Sequence, residues 1–314
     1  MRLGVVMDPI GSINIKKDTT FAMLLEAQSR GWEIYYMGQS DLYLEDGLAK
    51  AVSSPLKVQR DAKCWFQIGE SEEIALGELN AILMRIDPPF DMDYIYTTYL
   101  LELAEAAGAM VVNKPQSLRD ANEKLFTAWF PQCCTPTIVT SQVARIRQFL
   151  KEHEDIIIKP LDGMGGASIF RLKKADHNLG VVLETMTNHG SKLAMVQRYL
   201  PEIKQGDKRI LIVNGEPVPY ALARIPAEGE TRGNLAAGGS GEGRELTERD
   251  RWLCQQIGPT LVAKGLFFVG LDVIGDYVTE INVTSPTCVQ ELDNQFNLNI
   301  SALLMDCIEE KIAQ

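Results

Sequence analysis

The first third of the chain alternates short apolar runs with an amphipathic stretch. Residues 2–7 and 32–37 are apolar enough for buried strands, and the stretch between them repeats Phe21 and Leu24 at helical spacing. Asp18 or Thr19 stands where it can cap the start of that helix. The strand–helix–strand order predicts a parallel sheet with a right-handed crossover.

The same sheet is expected to extend further along the chain. A hairpin is predicted around Asp46-Gly47, because this dipeptide favours tight turns between strands. Two more strands are predicted at residues 81–86 and 109–112, with a helix at 91–107 between them. Together these elements form a first α/β domain.

Proline and polar residues mark the next division. Residues 113–115 end on a proline, which stops the preceding strand and indicates a domain boundary. Ser117 followed by Asp120 approximates a capping box and predicts a helix that continues to about Phe130. Residues 137–214 then follow the order strand, helix, strand, glycine-rich loop, strand, helix, strand, strand.

A glycine-rich segment, residues 225–243, divides the last third of the chain. It holds six glycines, and its length and composition predict a mobile lid loop. Before this segment, Asn214-Gly215 predicts a tight hairpin turn. After it, the pattern predicts a helix, two strands and closing helices, over 247–264, 267–274, 277–282 and the C-terminus.

Composition narrows the class of protein. Hydrophobic residues make up 46% of the 314 residues and charged residues 23%, a balance typical of a soluble globular protein. The net charge of −11 disfavours non-specific nucleic-acid binding, which depends on neutralising phosphates. No apolar run is long enough for a membrane span. The six cysteines form no CxxC pair, so we expect reduced thiols and a cytoplasmic location. From the net charge and the short apolar runs, we expect neither nucleic acid nor membrane as partner.

Several catalytic motifs are absent from the sequence. With three histidines and no HExxH, a histidine-rich metal site is disfavoured. No glycine is followed by lysine, which excludes the P-loop pattern. The cluster of Gly163, Gly165 and Gly166 nearly forms GxGxxG, but Ser168 occupies the place of the last glycine, so a Rossmann dinucleotide site is not supported.

One lysine and this glycine cluster are a candidate phosphate site. Lys159 ends an apolar strand, and lysine is rarely buried without a partner. The glycines follow directly and would let backbone N–H groups approach phosphate oxygens closely. The alternative is a hairpin turn with a lysine at the sheet edge.

Three oxygen-bearing side chains near the C-terminus are a candidate Mg²⁺ site. Asp272 lies on one strand, Glu280 and Asn282 lie on the next, and the two carboxylates interrupt otherwise apolar strands. Asp272 faces Glu280 only if the intervening loop has three residues, since a two-residue turn would pair it with Thr279. The alternative is three ordinary polar residues.

The remaining candidates are cations. Lys124 lies in the helix predicted after the boundary, where a solvated face is the ordinary interpretation. Arg209, Arg224 and Arg232 could bind carboxylate or phosphate through their forked guanidinium groups, although each alone could form a surface salt bridge. Two lysines, a glycine loop and an oxygen-only metal site form a coherent set that implies ATP binding without a P-loop.

At this point the chain resembles the ATP-grasp ligases and, within them, the bacterial glutathione synthetases. Two of the matching motifs are Asn122-Glu123-Lys124-Leu125 and the Lys159–Gly166 run Lys-Pro-Leu-Asp-Gly-Met-Gly-Gly. The other matching segments are 7–10, 13–18, 84–91, 113–115, 119–120, 230–239 and 280–287. The segments of the first domain, 7–10 with 13–18 and 84–85 with 87–91, are more specific to glutathione synthetases, whereas the later segments are common to ATP-grasp proteins.

The resemblance implies an α/β fold in three parts. Residues 1–118 would form an N-terminal Rossmann-like (pre-ATP-grasp) parallel-sheet domain for the substrate. A two-lobed ATP-grasp fold would follow. Its first lobe, 119–202, would carry the glycine-rich loop, and its second lobe, 203–314, would carry the lid loop and the Mg²⁺ site.

The resemblance also implies a reaction. ATP would phosphorylate the C-terminal carboxylate of γ-glutamylcysteine, and glycine would attack the acylphosphate to give glutathione, ADP and phosphate. Mg²⁺ would be the metal, with Mn²⁺ as a substitute, and the protein would be a homo-oligomer. Two alternatives are another ATP-grasp carboxylate–amine ligase and a nucleotide-binding regulator without turnover.

Site roles follow from the same resemblance. The implied catalytic residues are Arg209, Arg224 and Arg232. Arg209 and Arg224 would neutralise the transferring phosphoryl group, and Arg232 would lie on the lid with Asn234. Asp272, Glu280 and Asn282 would hold the metal, while Arg85, Asp87 and Asn234 are candidates for substrate binding. The implied ATP-binding residues are Lys124, Lys159, Gly163, Gly165, Gly166, Ser168, Gln197, Tyr199, Leu200 and Asp207.

Overall fold

A computed structural model describes residues 1–227 and 239–314 of the chain. Within these residues the strands form three sheets, and helices cover them. The predicted α/β class is confirmed. Arg232 and Asn234, both candidates from the sequence, lie outside the described residues.

The N-terminal sheet has a parallel centre. Its strands are β1 (Arg2–Met7), β2 (Glu33–Met37), β3 (Leu42–Glu45), β4 (Leu48–Val58), β5 (Phe66–Ile68), β6 (Glu72–Ala75), β7 (Ala81–Arg85) and β8 (Met110–Val112). β1 pairs in parallel with both β2 and β7, and β7 pairs in parallel with β8. The helices α1 (Thr19–Ser29) and α2 (Met92–Ala106) make the crossovers, as the sequence predicts.

Local signals account for the ends of these elements. Asp18 caps α1 by accepting a hydrogen bond from the Phe21 N–H at 2.6 Å. Asp46 and Gly47 have φ values of 48° and 80°, which suit the tight turn between β3 and β4. The predicted helix cap and hairpin are both confirmed.

The prediction of a helix that reaches Phe130 is wrong. The helix is short, α3 (Pro115–Asp120), and a 3₁₀ turn at Leu125–Trp129 follows it. Asn122 is the cause, because its Oδ1 accepts hydrogen bonds from the Lys124 and Leu125 N–H groups. A side chain that satisfies nearby backbone donors competes with the helix. Lys124 therefore precedes the 3₁₀ turn and does not lie on a helix.

The middle sheet is antiparallel and has its own core. Its order is β11 (Phe170–Lys173), β10 (Asp155–Pro160), β12 (Ala194–Arg198) and β9 (Thr137–Thr140). Helices α4 (Val143–His153) and α5 (Leu179–Met186) cover one face, where Ile146, Ile156 and Leu183 are fully buried. The loop between β10 and β11 is the predicted glycine-rich loop.

The C-terminal sheet is also antiparallel. Its order is β15 (Ser240–Glu245), β14 (Glu216–Ile225), β13 (Asp207–Val213), β16 (Phe268–Ile274) and β17 (Tyr277–Asn282). The helices of this part are α6 (Glu248–Ala263), α7 (Val289–Phe296) and α8 (Ile300–Ile312). β13 and β14 meet at the predicted Asn214-Gly215 turn, where both residues have positive φ.

Part of the predicted lid loop is strand. Ile225 belongs to β14, and residues 240–243 belong to β15. The glycines of β15 serve close packing, since a Cβ on Gly243 would come within 2.2 Å of the Phe296 ring. Residues 228–238 of the predicted loop lie outside the described residues.

One asparagine connects the N-terminal and C-terminal sheets. The Asn113 amide donates to the carbonyls of Phe268 and Val283, each at 2.7 Å, and its oxygen accepts from the Phe268 N–H at 2.9 Å. The side chain is buried, so these three backbone groups have no water as a substitute.

No helix in the described ranges is long and apolar enough to cross a membrane. All six cysteines are free thiols, including the adjacent Cys133 and Cys134. Burial raises the pKa of the Cys133 thiol to about 11. A thiol that stays protonated is a poor nucleophile, so Cys133 is not expected to act as one.

Replacement of Asn113 tests the connection between the sheets. Asn113→Ala should lower the free energy of unfolding by about 3 kcal/mol, because three buried backbone groups lose their partners. Urea titration measures this change. The matched control is Asn178→Ala, an exposed asparagine, which should change stability by less than about 0.5 kcal/mol. Equal effects of the two substitutions would contradict the assignment.

Candidate active site

A cavity of about 560 Å³ lies between the middle and C-terminal sheets. The sequence candidates that line it are Asp87, Lys159, Gly165, Gly166, Gln197, Tyr199, Leu200, Asp207, Arg209, Arg224, Asp272, Glu280 and Asn282. Residues from four strands of the C-terminal sheet thus meet residues of the middle sheet. Such a cleft between two lobes is a common place for a small-molecule site.

A buried cluster of charges forms one wall. Arg209 Nε and Nη2 donate to Asp272 Oδ1 and Oδ2 at 2.6 and 2.9 Å, a two-pronged pairing. Arg224 Nη2 lies 2.8 Å from Asp272 Oδ2 and also donates to Asp207. Burial alone would raise the pKa of the Asp272 carboxyl, but the two guanidinium groups outweigh it and hold that pKa well below its usual range.

A β-bulge brings the two candidate metal carboxylates together. The turn between β16 and β17 has two residues, and Ile274 pairs with Tyr277. The register then shifts by one residue, so that Asp272 pairs with Glu280. Neither register considered from the sequence includes this bulge. It leaves Thr279 as the extra residue and places both carboxylates on the same cavity.

Both candidate lysines contact this hairpin. Lys124 Nζ lies 2.7 Å from Glu280 Oε1 and also donates to the Gly163 carbonyl. Lys159 Nζ donates to the Thr279 carbonyl at 3.0 Å, so the bulge supplies the partner that this buried lysine requires. Burial lowers the pKa of the Lys159 ammonium, while Glu280 opposes that effect. Two ammonium groups therefore flank Glu280.

Sequence reasoning gave no role to Glu123, which connects the Lys124 segment to the end of β17 through hydrogen bonds. Its Oε1 accepts from the N–H groups of Val283 and Thr284, at 2.8 and 3.0 Å, and from the Thr284 hydroxyl at 2.8 Å. Its carbonyl accepts from the Ile281 N–H. The residue before Lys124 is thus tied to the end of β17, next to Asn282. Its place in the Asn-Glu-Lys motif is the signal that could have identified it.

The glycine-rich loop runs along the cavity mouth. Gly165 and Gly166 have φ values of 62° and 77°, which glycine adopts at little cost, and both line the cavity. Ser168 also has a positive φ, of 57°. Gly163 and Ser168 do not line the cavity, but the Gly163 carbonyl is the acceptor for Lys124.

Another group of lining residues is more apolar. Leu200, Ile157 and the Tyr199 ring belong to it, with Gln197, whose Nε2 donates to a threonine hydroxyl at 3.1 Å. The Arg171 guanidinium lies 3.6 Å from the centre of the Tyr199 ring. A planar ring system would fit between such side chains.

Asp207 belongs to the charge cluster, through its contact with Arg224. Its Oδ1 is buried and has no hydrogen-bond partner among the described residues. Burial raises the pKa of this carboxyl to about 6, although Arg224 opposes the effect. An unpaired acceptor in a cavity wall points to a ligand that donates a hydrogen bond.

Arg85 does not line this cavity but a second one. The second cavity measures about 500 Å³ and lies at the carboxyl ends of β1 and β7. Asp87 lines both cavities, and its N–H donates to Asp8 Oδ2 at 3.0 Å. The structure thus separates the Arg85 side chain from the charge cluster, while Asp87 lies between the two.

Comparison with solved structures identifies the fold. A D-cycloserine synthetase superposes with a TM-score of 0.68 over 98% of this chain and 100% of its own, at 15% identity. The ATP-grasp ligase PsnB superposes with a TM-score of 0.64 over 100% of this chain and 98% of its own, also at 15% identity. The two lobes around the cavity therefore have the ATP-grasp fold.

Sequence comparison identifies the family. Residues 1–119 match the N-terminal domain of prokaryotic glutathione synthetase, and residues 123–297 match its ATP-grasp domain. A glutathione synthetase of Pseudomonas syringae pv. tomato is 62% identical over 99% of this chain and 98% of its own length. One of Photorhabdus laumondii is 60% identical over 99% of both.

The chain belongs to the prokaryotic glutathione synthetase family. It is an ATP-dependent carbon–nitrogen ligase of glutathione synthesis, and the family implies ATP and a divalent metal ion. The predicted family, enzyme class and function are confirmed.

The raised pKa of Asp207 predicts a pH dependence of stability. Between pH 4 and 6 the folded protein keeps a proton that the unfolded chain has lost, so the contribution of Asp207 to stability falls as pH rises through this window. Asp207→Asn removes the titration. The stability difference between wild type and the variant should fall by on the order of 2 kcal/mol from pH 4 to pH 6. Denaturant unfolding at several pH values measures it, and a constant difference would refute the assignment.

Proposed function

We propose that this chain joins γ-glutamylcysteine to glycine at the cavity between its two ATP-grasp lobes. The observation that carries the proposal is the wall on which Lys124, Lys159 and two arginines meet the carboxylates of Asp272 and Glu280. Surplus positive charge beside paired oxygen ligands suits a nucleotide polyphosphate with its metal.

The reaction needs activation of a carboxylate. A carboxylate is a poor electrophile, and transfer of the γ-phosphoryl group of ATP to the cysteinyl carboxylate gives it a phosphate leaving group. This transfer leaves ADP. The glycine amine then attacks the carbonyl carbon, the amide bond forms as the acyl C–O bond breaks, and inorganic phosphate leaves while the amine loses its proton. Positioning and charge neutralisation are the main contributions of the protein in such a step.

Lys124 and Lys159 would hold the ATP phosphates. Both ammonium groups are buried, and both lie beside Glu280. Backbone N–H groups of the loop with Gly163, Gly165, Gly166 and Ser168 would cover the same phosphates. The positive φ values of the loop are typical of backbones that turn N–H groups toward an anion.

The metal ligands would be Asp272, Glu280 and Asn282. Asn282 Nδ2 donates to the Gly270 carbonyl, which leaves its oxygen for a cation. In the described ranges, no group of three or more His, Cys, Asp or Glu side chains is placed to hold a metal ion. This donor set fits Mg²⁺, which takes one or two carboxylates and completes its shell with phosphate oxygens and water. Mn²⁺ suits the same oxygens, and either metal would neutralise phosphate charge.

Gln197, Tyr199 and Leu200 would hold the adenine, and Asp207 would accept a hydrogen bond from the ribose. The unpaired Asp207 oxygen supports this role. Arg209 and Arg224 would stabilise charge on the phosphoryl group during transfer. We assign Arg232 and Asn234 to a lid by resemblance alone.

The proposal includes the arrangement of the whole molecule. Residues 1–118 would bind the peptide, with Arg85 and Asp87 as contacts, while residues 119–202 and 203–314 would enclose ATP. Resemblance also favours a homo-oligomer in the cytoplasm. Light scattering of the purified protein measures the oligomeric state.

Replacement of Glu280 tests the metal role. Glu280→Gln keeps the shape of the side chain but removes its charge, so turnover should fall at least ~100-fold and ATP should bind more weakly at low Mg²⁺. Coupled ADP release and calorimetry measure the two effects. The matched control is Glu216→Gln, an exposed residue at the start of β14, which should retain wild-type activity. Near-normal turnover of the folded Glu280→Gln variant would overturn the metal assignment.

The substrate assignment is tested by phosphate release. With ATP and Mg²⁺, release should require γ-glutamylcysteine and glycine together, and mass spectrometry should detect glutathione. Release with a different acid or amine, but not with this pair, would contradict the proposed substrates.

A further inference from the structure

A row of four paired residues crosses the middle sheet beside the cavity between the two lobes. Arg171 on β11 pairs with Ile157 on β10, which in turn pairs with Gln197 on β12. The row ends on β9, where Thr137 pairs with Gln197. Directly paired residues of neighbouring antiparallel strands present their side chains on the same face of the sheet. The first three residues line the cavity, whereas Thr137 lies outside its lining and meets it only through Gln197.

The Thr137 hydroxyl has a fixed direction. Its Oγ1 donates to the Thr135 carbonyl at 2.7 Å. A hydroxyl carries one hydrogen, so toward Gln197 it can only accept. The Gln197 Nε2 donates to it at 3.1 Å, as this direction requires. Thr135 is buried, so a hydroxyl turned the other way would leave the Thr135 carbonyl without this donor.

This contact decides which end of the Gln197 amide meets a ligand. A carboxamide has a donating NH₂ group and an accepting oxygen at opposite corners. Because Thr137 holds Nε2, the oxygen Oε1 is the free end, and it has no hydrogen-bond partner among the described residues. Gln197 is buried and lines the cavity. A ligand here therefore meets a hydrogen-bond acceptor of fixed orientation.

Purine bases differ in what they offer to such an acceptor. Adenine carries an amino group at C6, which donates, whereas guanine and hypoxanthine carry a carbonyl oxygen there, which accepts. Gln197 Oε1 would bond to the amino group but would face the carbonyl oxygen as a second acceptor. An amide that could rotate would suit either base, because a half turn exchanges its oxygen and its NH₂ group.

We propose that Thr137 is a positioning residue that makes this ligase selective for adenine over 6-oxopurine nucleotides. Its hydroxyl holds the Gln197 amide so that Oε1 accepts from the amino group of adenine. This inference rests on the proposed function, in which Gln197 holds the adenine of ATP. It adds a residue that does not touch the nucleotide but determines which base the site accepts.

The test compares ATP with inosine triphosphate, which carries a carbonyl in place of the 6-amino group, in the ligation of γ-glutamylcysteine to glycine. Wild type should prefer ATP by at least ~100-fold in kcat/KM, because the 6-oxo base leaves a buried acceptor unpaired. Thr137→Val keeps the shape of the side chain and suits a strand, but it removes the hydroxyl. The amide can then turn, and the preference should fall about tenfold. Some preference should remain, since N1 of hypoxanthine carries a hydrogen that N1 of adenine lacks.

The ratio of the two kcat/KM values within one protein does not depend on how much of that protein is folded. Thr137→Ser retains the hydroxyl and should keep the wild-type ratio within about twofold. The matched control is Thr140→Val, which removes a hydroxyl of the same strand that accepts from the Gln142 N–H and lies outside the cavity lining. It should also keep the ratio. Should Thr137→Val not fold, Thr137→Ala removes the same hydroxyl with less bulk and carries the same expectation.

A double-mutant cycle tests whether Thr137 acts through Gln197. Gln197→Ala removes the oriented oxygen and should itself lower the preference for ATP about tenfold. Thr137→Val added to Gln197→Ala should then change the ratio by less than about twofold, because no amide is left to orient.

A wild-type enzyme that uses both nucleotides equally, or a Thr137→Val variant that keeps the wild-type ratio, would overturn the proposal. A Thr137→Ser variant that loses as much preference as Thr137→Val would also overturn it, as would a full effect of Thr137→Val in the Gln197→Ala background. These outcomes differ from a failure of the proposed function, in which wild type would not ligate glycine to γ-glutamylcysteine with ATP at all.

Discussion

The buried pairing of Arg209 with Asp272, and of Arg224 with both Asp272 and Asp207, is the constraint on which the active site depends. Removal of one partner would leave a buried charge uncompensated, which is far more costly than the pair itself is stabilising. The pairs join β13, β14 and β16 across one face of the sheet. They therefore fix the position of this cavity wall and the place where β17 presents Glu280 and Asn282.

The charged groups of this wall carry a small excess of positive charge. Four cationic side chains, those of Lys124, Lys159, Arg209 and Arg224, lie among the carboxylates of Asp207, Asp272 and Glu280. We infer that these groups change partners when the ligand binds. The lysines would pair with the ATP phosphates, a divalent metal would bind the Glu280 carboxylate that Lys124 releases, and the total charge would change little. A site organised in this way needs little rearrangement when ATP binds.

Sequence patterns predicted the order of strands, the main hairpin turns and the chemistry of the cavity wall. They could not predict which charges pair, because Arg209 and Asp272 are far apart in the chain and meet only through sheet register. They also missed the bulge at Thr279, since an extra residue in a strand has no distinct sequence pattern here. The helix that ends at Asp120 was mispredicted because one side chain, Asn122, competes with the helical hydrogen bonds.

The most direct test of the central claim follows the oxygen atoms of the substrate. γ-Glutamylcysteine labelled with ¹⁸O in its cysteinyl carboxylate is turned over with ATP, the metal ion and glycine, and the released phosphate is analysed by mass spectrometry. If the cavity phosphorylates this carboxylate, each phosphate carries one ¹⁸O atom from the peptide. Phosphate without label, formed while glutathione accumulates, would contradict the account.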